Sequence, residues 1–111
     1  MILDRYICDT FHCTIDELHS RTRLRQVVMA RQLCMAVLKD FSDMSLNQIG
    51  QRYGLDHATV IYSIRTVKNL YTTDKAYRAK VDDVYDAIRC GMVMNGSDYL
   101  DEEMIIYADL I

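Results

Sequence analysis

A chain of 111 residues with no proline and only four glycines has few places where a helix is forced to stop, and that scarcity constrains the fold more than any other feature of the sequence. Helix breaks must then be made by capping side chains, so Ser, Thr and Asp standing just before apolar-periodic stretches are the punctuation of this chain. Half the residues are apolar, and the length suits one domain around one core. The expected fold class is all-α, a helical bundle. No apolar run approaches the roughly 18 residues of a membrane span, and the opening MILDRYICDTFH carries acid and base in its first turns, unlike a signal peptide. A cytoplasmic location with no membrane partner is expected.

The punctuation divides the chain cleanly. Leu3, Tyr6, Ile7 and Phe11 share one face of a first helix over 2–11, and Thr14-Ile-Asp-Glu17 has the spacing of a capping box opening a second, short helix to about His19. SRTRLR at 20–25, basic at alternate positions and without an apolar stripe, reads as a surface loop. Val27, Ala30, Cys34, Val37, Leu38 and Phe41 predict a central helix from about Arg25 to Phe41, packed on several sides. Ser45-Leu-Asn-Gln48 repeats the capping box and starts a helix to about Tyr53, which Gly54 is placed to end in a left-handed conformation. Asp56 then caps a helix buried through Val60, Ile64, Val67 and Tyr71, and a further helix from about Thr73 to Cys90 buries Tyr77, Val81, Val84, Tyr85 and Ile88. Beyond Gly91, NGS signals a turn and DYLDEEMIIYADLI one last short helix. The expected organisation is a domain over 1–90 and an acidic extension over 91–111.

The formal net charge of −3 hides a division along the chain. Residues 1–90 hold all 13 basic residues against 11 acids, whereas 91–111 hold five acids and no base. Between 19 and 72 eight basic residues face only Asp40, Asp43 and Asp56, a balance of +5 that fits a phosphate-binding footprint. Cys8, Cys13, Cys34 and Cys90 lack metal-ligand spacing; Cys8 and His12 are four apart, but no second pair completes a site, so neither a metal nor another cofactor is expected. His12 and His19 read as surface or structural residues.

Gly50, Gly54 and Val60 have the placement of a helix-turn-helix: a small residue where two helices approach, a glycine in the turn, and an apolar anchor for the second helix. A plain helical hairpin can share that pattern. Asp56 and His57 also suggest an acid orienting a general base, but neighbours at a helix start point apart and no nucleophile with an oxyanion site accompanies them, so no catalytic residue and no enzymatic activity is expected. As readers of base edges the same residues are chemically apt, with a carboxylate for the cytosine amino group, imidazole and hydroxyl for either role, and the Ala58 methyl for the thymine methyl.

The stretch ARQLCMAVLKDFSDMSLNQIGQRYGLDHATVIYSIRTVKNL, within a run from about Phe11 to Leu70, closely resembles the C-terminal DNA-binding domain of the bacterial replication initiator DnaA, with its Asp-His-Thr-Thr-Val signature here Asp56-His57-Ala58-Thr59-Val60. The resemblance implies a TrpR-like helix-turn-helix fold and double-stranded DNA as partner. It implies that Asp56, His57 and Thr59 face the major groove, Arg23 the minor groove, and Arg25, Arg31 and Lys39 the phosphates; Ala58 is expected beside them at the bases, and Arg21, Ser45 and Arg65 at further phosphates. Tyr62 is open to two roles, a phosphate contact or a shield for the helix. Ala58 replaces the first threonine of the signature, the turn before Asp56 is one residue shorter than the family's Gly-Gly-Arg-Asp-His, and no GxxxxGK[ST] phosphate loop is present, so no nucleotide is expected to bind. The implied function is a stand-alone, sequence-specific DNA reader in replication or transcription regulation, associated with the nucleoid. The alternative is a protein-interaction or self-association module acting through 91–111. A Met followed at once by helical sequence reads as a complete product.

Overall fold

Hydroxyl and carboxylate caps, rather than glycines, set most of the helix boundaries. The computed structural model describes residues 3–91, and these form six helices with no strand among them: α1 (Leu3–Phe11), α2 (Ile15–Leu18), α3 (Arg25–Phe41), α4 (Leu46–Tyr53), α5 (His57–Thr73) and α6 (Lys75–Arg89). The all-α expectation is met. Both capping boxes form: Thr14 Oγ1 accepts from the Glu17 N–H at 3.1 Å while Glu17 accepts from the Thr14 N–H at 2.9 Å, and Ser45 and Gln48 repeat the exchange at 3.1 and 2.8 Å. Asp56 caps α5 through the Thr59 N–H at 2.8 Å. The junction of α5 and α6 differs from the sequence reading, which began the last helix near Thr73. Asp74 alone separates the two, closing α5 with its backbone N–H donated to Leu70 O and starting α6 with its carboxylate accepting from the Tyr77 N–H at 3.0 Å.

The centre of the bundle is α3, which packs against α1, α2, α4 and α5. Six consecutive residues, Leu33 to Leu38, are buried, so the helix is enclosed around its circumference through its middle turns and not along one stripe. Burial of that much apolar surface is the main stabilising term of the fold, at about 25 cal/mol per Å2 removed from water. Against this post α4 and α5 meet at close range. Gly50 explains how: a Cβ there would overlap the carbonyl oxygen of Leu55 and come within 3.3 Å of Val60 Cγ2. Leu55 N–H donates to Gly50 O at 2.8 Å, closing the turn, and Gly54 takes φ +70°, the left-handed region that favours glycine. α6 folds back along α5 and reaches α1, where Phe11 and Tyr77 bring their rings to 6.1 Å. The expected last helix and the 91–111 extension lie outside the described residues, apart from Gly91.

One buried charge ties the ends of this arrangement together. Asp4 sits on the buried face of α1, 4% exposed, and accepts from Tyr53 Oη at 2.9 Å and Arg52 Nη2 at 2.9 Å, both at the end of α4. His19 Nε2 lies 3.5 Å from the same carboxylate, and the His19 ring stacks on Tyr53 with centroids 5.3 Å apart and planes 7° from parallel.

Candidate nucleic-acid interface

The loop at 20–25 alternates short hydroxyls with arginines, and the structure gives the two kinds opposite jobs. Ser20 Oγ donates to Glu17 O at 2.7 Å and accepts from the Thr22 N–H at 3.2 Å, while Thr22 Oγ1 accepts from the Leu24 N–H at 3.3 Å. The hydroxyls thus satisfy the loop's own backbone, and Arg21, Arg23 and Arg25 are left exposed between them. The root of the loop is fixed from below. Arg31 of α3 donates through Nε to Leu18 O at 2.8 Å and through Nη2 to Ser20 O at 3.0 Å and Glu17 O at 3.3 Å, clasping carbonyls at the end of α2 and the start of the loop. The Arg31 guanidinium, which the sequence reading gave to phosphate, is therefore engaged with the protein backbone.

Across from this loop stands the opening of α5. A groove of about 650 Å3 runs between them, with Arg21, Arg23 and Arg31 on one side and Gly54, Thr59 and Tyr62 on the other; Val28 and Met35 of α3 also line it. Residues separated by some 35 positions in the chain are thereby brought to one cleft, and no carboxylate is among its lining residues. Asp56, His57 and Ala58 are exposed at the first turn of α5, beside the groove, while Thr59 is half-buried. Tyr62 is 62% exposed, one turn further along. The carboxyl of Asp56 is held below its usual range by hydrogen bonds from the Thr59 hydroxyl and backbone N–H, so it is ionised at neutral pH, with Oδ1 committed to the cap. Arg25, Lys39, Ser45 and Arg65 are exposed too but do not line the groove.

Two features escaped the sequence reading. Leu24, 52% exposed, lies between Arg23 and Arg25 in the chain and N-caps α3 without a side-chain hydrogen bond. No acid occupies the first turn of α3, where Arg25 sits, so that helix start carries uncompensated positive potential. The missing cap was legible in principle, since LRQ lacks the Ser, Thr, Asp or Asn that precedes α2, α4, α5 and α6. Among the described residues no group of His, Cys, Asp and Glu is placed to hold a metal, and no helix is long and apolar enough to cross a membrane.

Short α4, a tight turn built on Gly50 and Gly54, and a capped α5 with its first turn exposed define a helix-turn-helix domain. The comparisons with known proteins agree with that class. The family described as bacterial dnaA protein helix-turn-helix matches residues 2–67. The chain belongs to this family. It is 43% identical over 83 residues to the chromosomal replication initiator protein DnaA of Flavobacterium psychrophilum, covering 74% of this chain and 17% of that protein. The DnaA of Bacteroides thetaiotaomicron is 34% identical over 86 residues, covering 77% of this chain and 18% of the relative. The chain thus spans less than a fifth of the length of these relatives.

Proposed function

We propose that this chain binds double-stranded DNA in a sequence-specific way, through residues 1–90, in the regulation of replication or transcription at the nucleoid. The observation that carries the reading is the carboxylate-free groove that sets the arginine loop opposite the exposed first turns of α5. With α5 in the major groove, His57, Ala58, Thr59 and the uncommitted oxygen of Asp56 meet base edges, and Arg23 reaches the neighbouring minor groove. Arg21, Arg25, Lys39, Ser45, Tyr62 and Arg65 then contact phosphates, Arg25 helped by the uncapped start of α3. Arg31 serves the same end indirectly, by fixing the loop root from which Arg21 and Arg23 extend.

The test is fluorescence anisotropy with a duplex carrying the DnaA-family site and with a scrambled duplex, each at two salt concentrations. Tighter binding to the site, with affinity falling steeply as salt rises, is expected. Equal, salt-sensitive binding to both duplexes would keep DNA as the partner and remove the specificity. Absence of binding to either would overturn the proposal in favour of a protein partner.

A further inference from the structure

We infer that residues 92–111 act as an intramolecular competitor, docking on the arginine groove between the 20–25 loop and α5 and thereby limiting access of nucleic acid to it. Three observations converge on this pairing. The first is charge: the groove presents Arg21, Arg23 and Arg31 with no carboxylate in its lining, while 92–111 contain Asp98, Asp101, Glu102, Glu103 and Asp109 and no basic residue. The second is apolar match. Leu24 and Tyr62 are the exposed large hydrophobic side chains of the described residues; Tyr62 lines this groove and Leu24 follows the lining residue Arg23 in the chain, and the acids of the segment are interleaved with Leu100, Met104, Ile105 and Tyr107. The third is reach. Twenty residues beyond Gly91 extend to about 66 Å, about twice the 32 Å longest extent of the fold, so the groove is within range from the end of α6.

The groove between α5 and α6 is the competing location, being nearer to Gly91 in sequence. It is lined by Lys68 and Arg89 but also by Asp82, which accepts from Tyr71 Oη at 2.7 Å, so its charge is mixed and suits an acidic segment less well. A segment of net charge −5 held on the arginine face would act as a built-in polyanion. Its consequence for DNA rests on the function proposed above; the contact itself does not.

The experiment uses the full chain, 15N-labelled, compared with the variant D98N/D101N/E102Q/E103Q/D109N. Amide signals of Arg21, Arg23, Leu24 and Tyr62 are expected to differ between the two at low salt and to converge at about 0.5 M salt, where screening removes the attraction. Unchanged signals at those positions, or changes centred on Tyr71, Tyr85 and Arg89, would overturn the inference. So would shifts that depend on protein concentration, which would mean exchange of the segment between copies. In the anisotropy assay the neutral variant is expected to bind duplex roughly tenfold more tightly, the factor for a groove open about a tenth of the time. L100S/I105S, with charge unchanged, is expected to recover part of that gain; gain from the neutral variant alone would reduce the effect to long-range repulsion and overturn docking. If neither form binds duplex while the amide signals still differ, the contact stands and the DNA reading fails.

Discussion

At the scale of single residues the groove separates three kinds of side chain that a count of positive charges would pool. Arg23 and His57 are exposed at positions suited to base contacts, so Arg23→Ala and His57→Ala are each expected to cost roughly 1 to 3 kcal/mol of DNA affinity and to relax preference among sequences. Lys39, exposed but away from the groove, is expected to weaken all duplexes about equally when changed to Ala. Competition with site and scrambled duplexes distinguishes these outcomes, and equal loss on both for His57→Ala would remove it from the bases. Arg31 belongs to the third kind, a cation that lines the groove while also holding carbonyls of α2 and the loop. Its partners are 11 to 14 positions away in the chain, which is why residue type and helical spacing could not show these bonds. The thiols sort themselves similarly. Burial and its neighbour Cys13 push the Cys8 thiol up to about 12, and burial raises the fully enclosed Cys34, whereas Cys90 is exposed. Alkylation near pH 8 is expected to label Cys90 first, with Cys34 reacting only on unfolding, as mass spectrometry of timed samples would show.

At the scale of elements the two turn glycines do different work, and substitution separates them. Gly50→Ala forces a Cβ into the Leu55 carbonyl, within a turn whose closing hydrogen bond uses Gly50 O, and is expected to destabilise the fold by about 1 to 3 kcal/mol. Gly54→Ala meets nothing within 4 Å and pays only for φ +70°, about 1 kcal/mol. Urea denaturation is expected to rank them in that order; the reverse ranking would mean that α4 and α5 can separate at little cost. These elements were legible because their signals are local: capping boxes at Thr14 and Ser45, the cap at Asp56, and the small-glycine-apolar spacing of Gly50, Gly54 and Val60 all act within a few residues. Asp74 was not legible as a boundary, since an aspartate between a threonine and a lysine is equally at home within a solvated helix face. Nor was the complete burial of α3, because periodicity reports one apolar face and cannot show that neighbours cover the others.

At the scale of the whole molecule the least legible feature is Asp4, whose partners lie 48 and 49 positions away. Its one local signal is placement: Asp4 and Cys8 continue the stripe of Leu3, Ile7 and Phe11, so an acid stands where an apolar residue would be expected. Burial pushes the Asp4 carboxyl up, but hydrogen bonding from His19, the positive charge of Arg52 and hydrogen bonding from Tyr53 outweigh it and hold the group below its ordinary value of 3.8. The folded state therefore prefers the ionised form. The stability this contributes is fully present above the unfolded-state value and is lost as pH falls through the lower folded-state value. Asp4→Ala is expected to lower stability by about 3 kcal/mol near pH 7, by leaving Arg52 and Tyr53 without their buried acceptor, and to flatten the dependence of urea midpoints on pH below about 4. An unchanged acid limb in that variant would place the linkage elsewhere. The same carboxylate also sets how small a transplantable version of this domain can be made. A fragment trimmed to the helix-turn-helix alone would lose both the α3 post and the Asp4 acceptor that α1 supplies to Arg52 and Tyr53, so a graft onto another scaffold has to carry the chain from Leu3 onward to keep its shape.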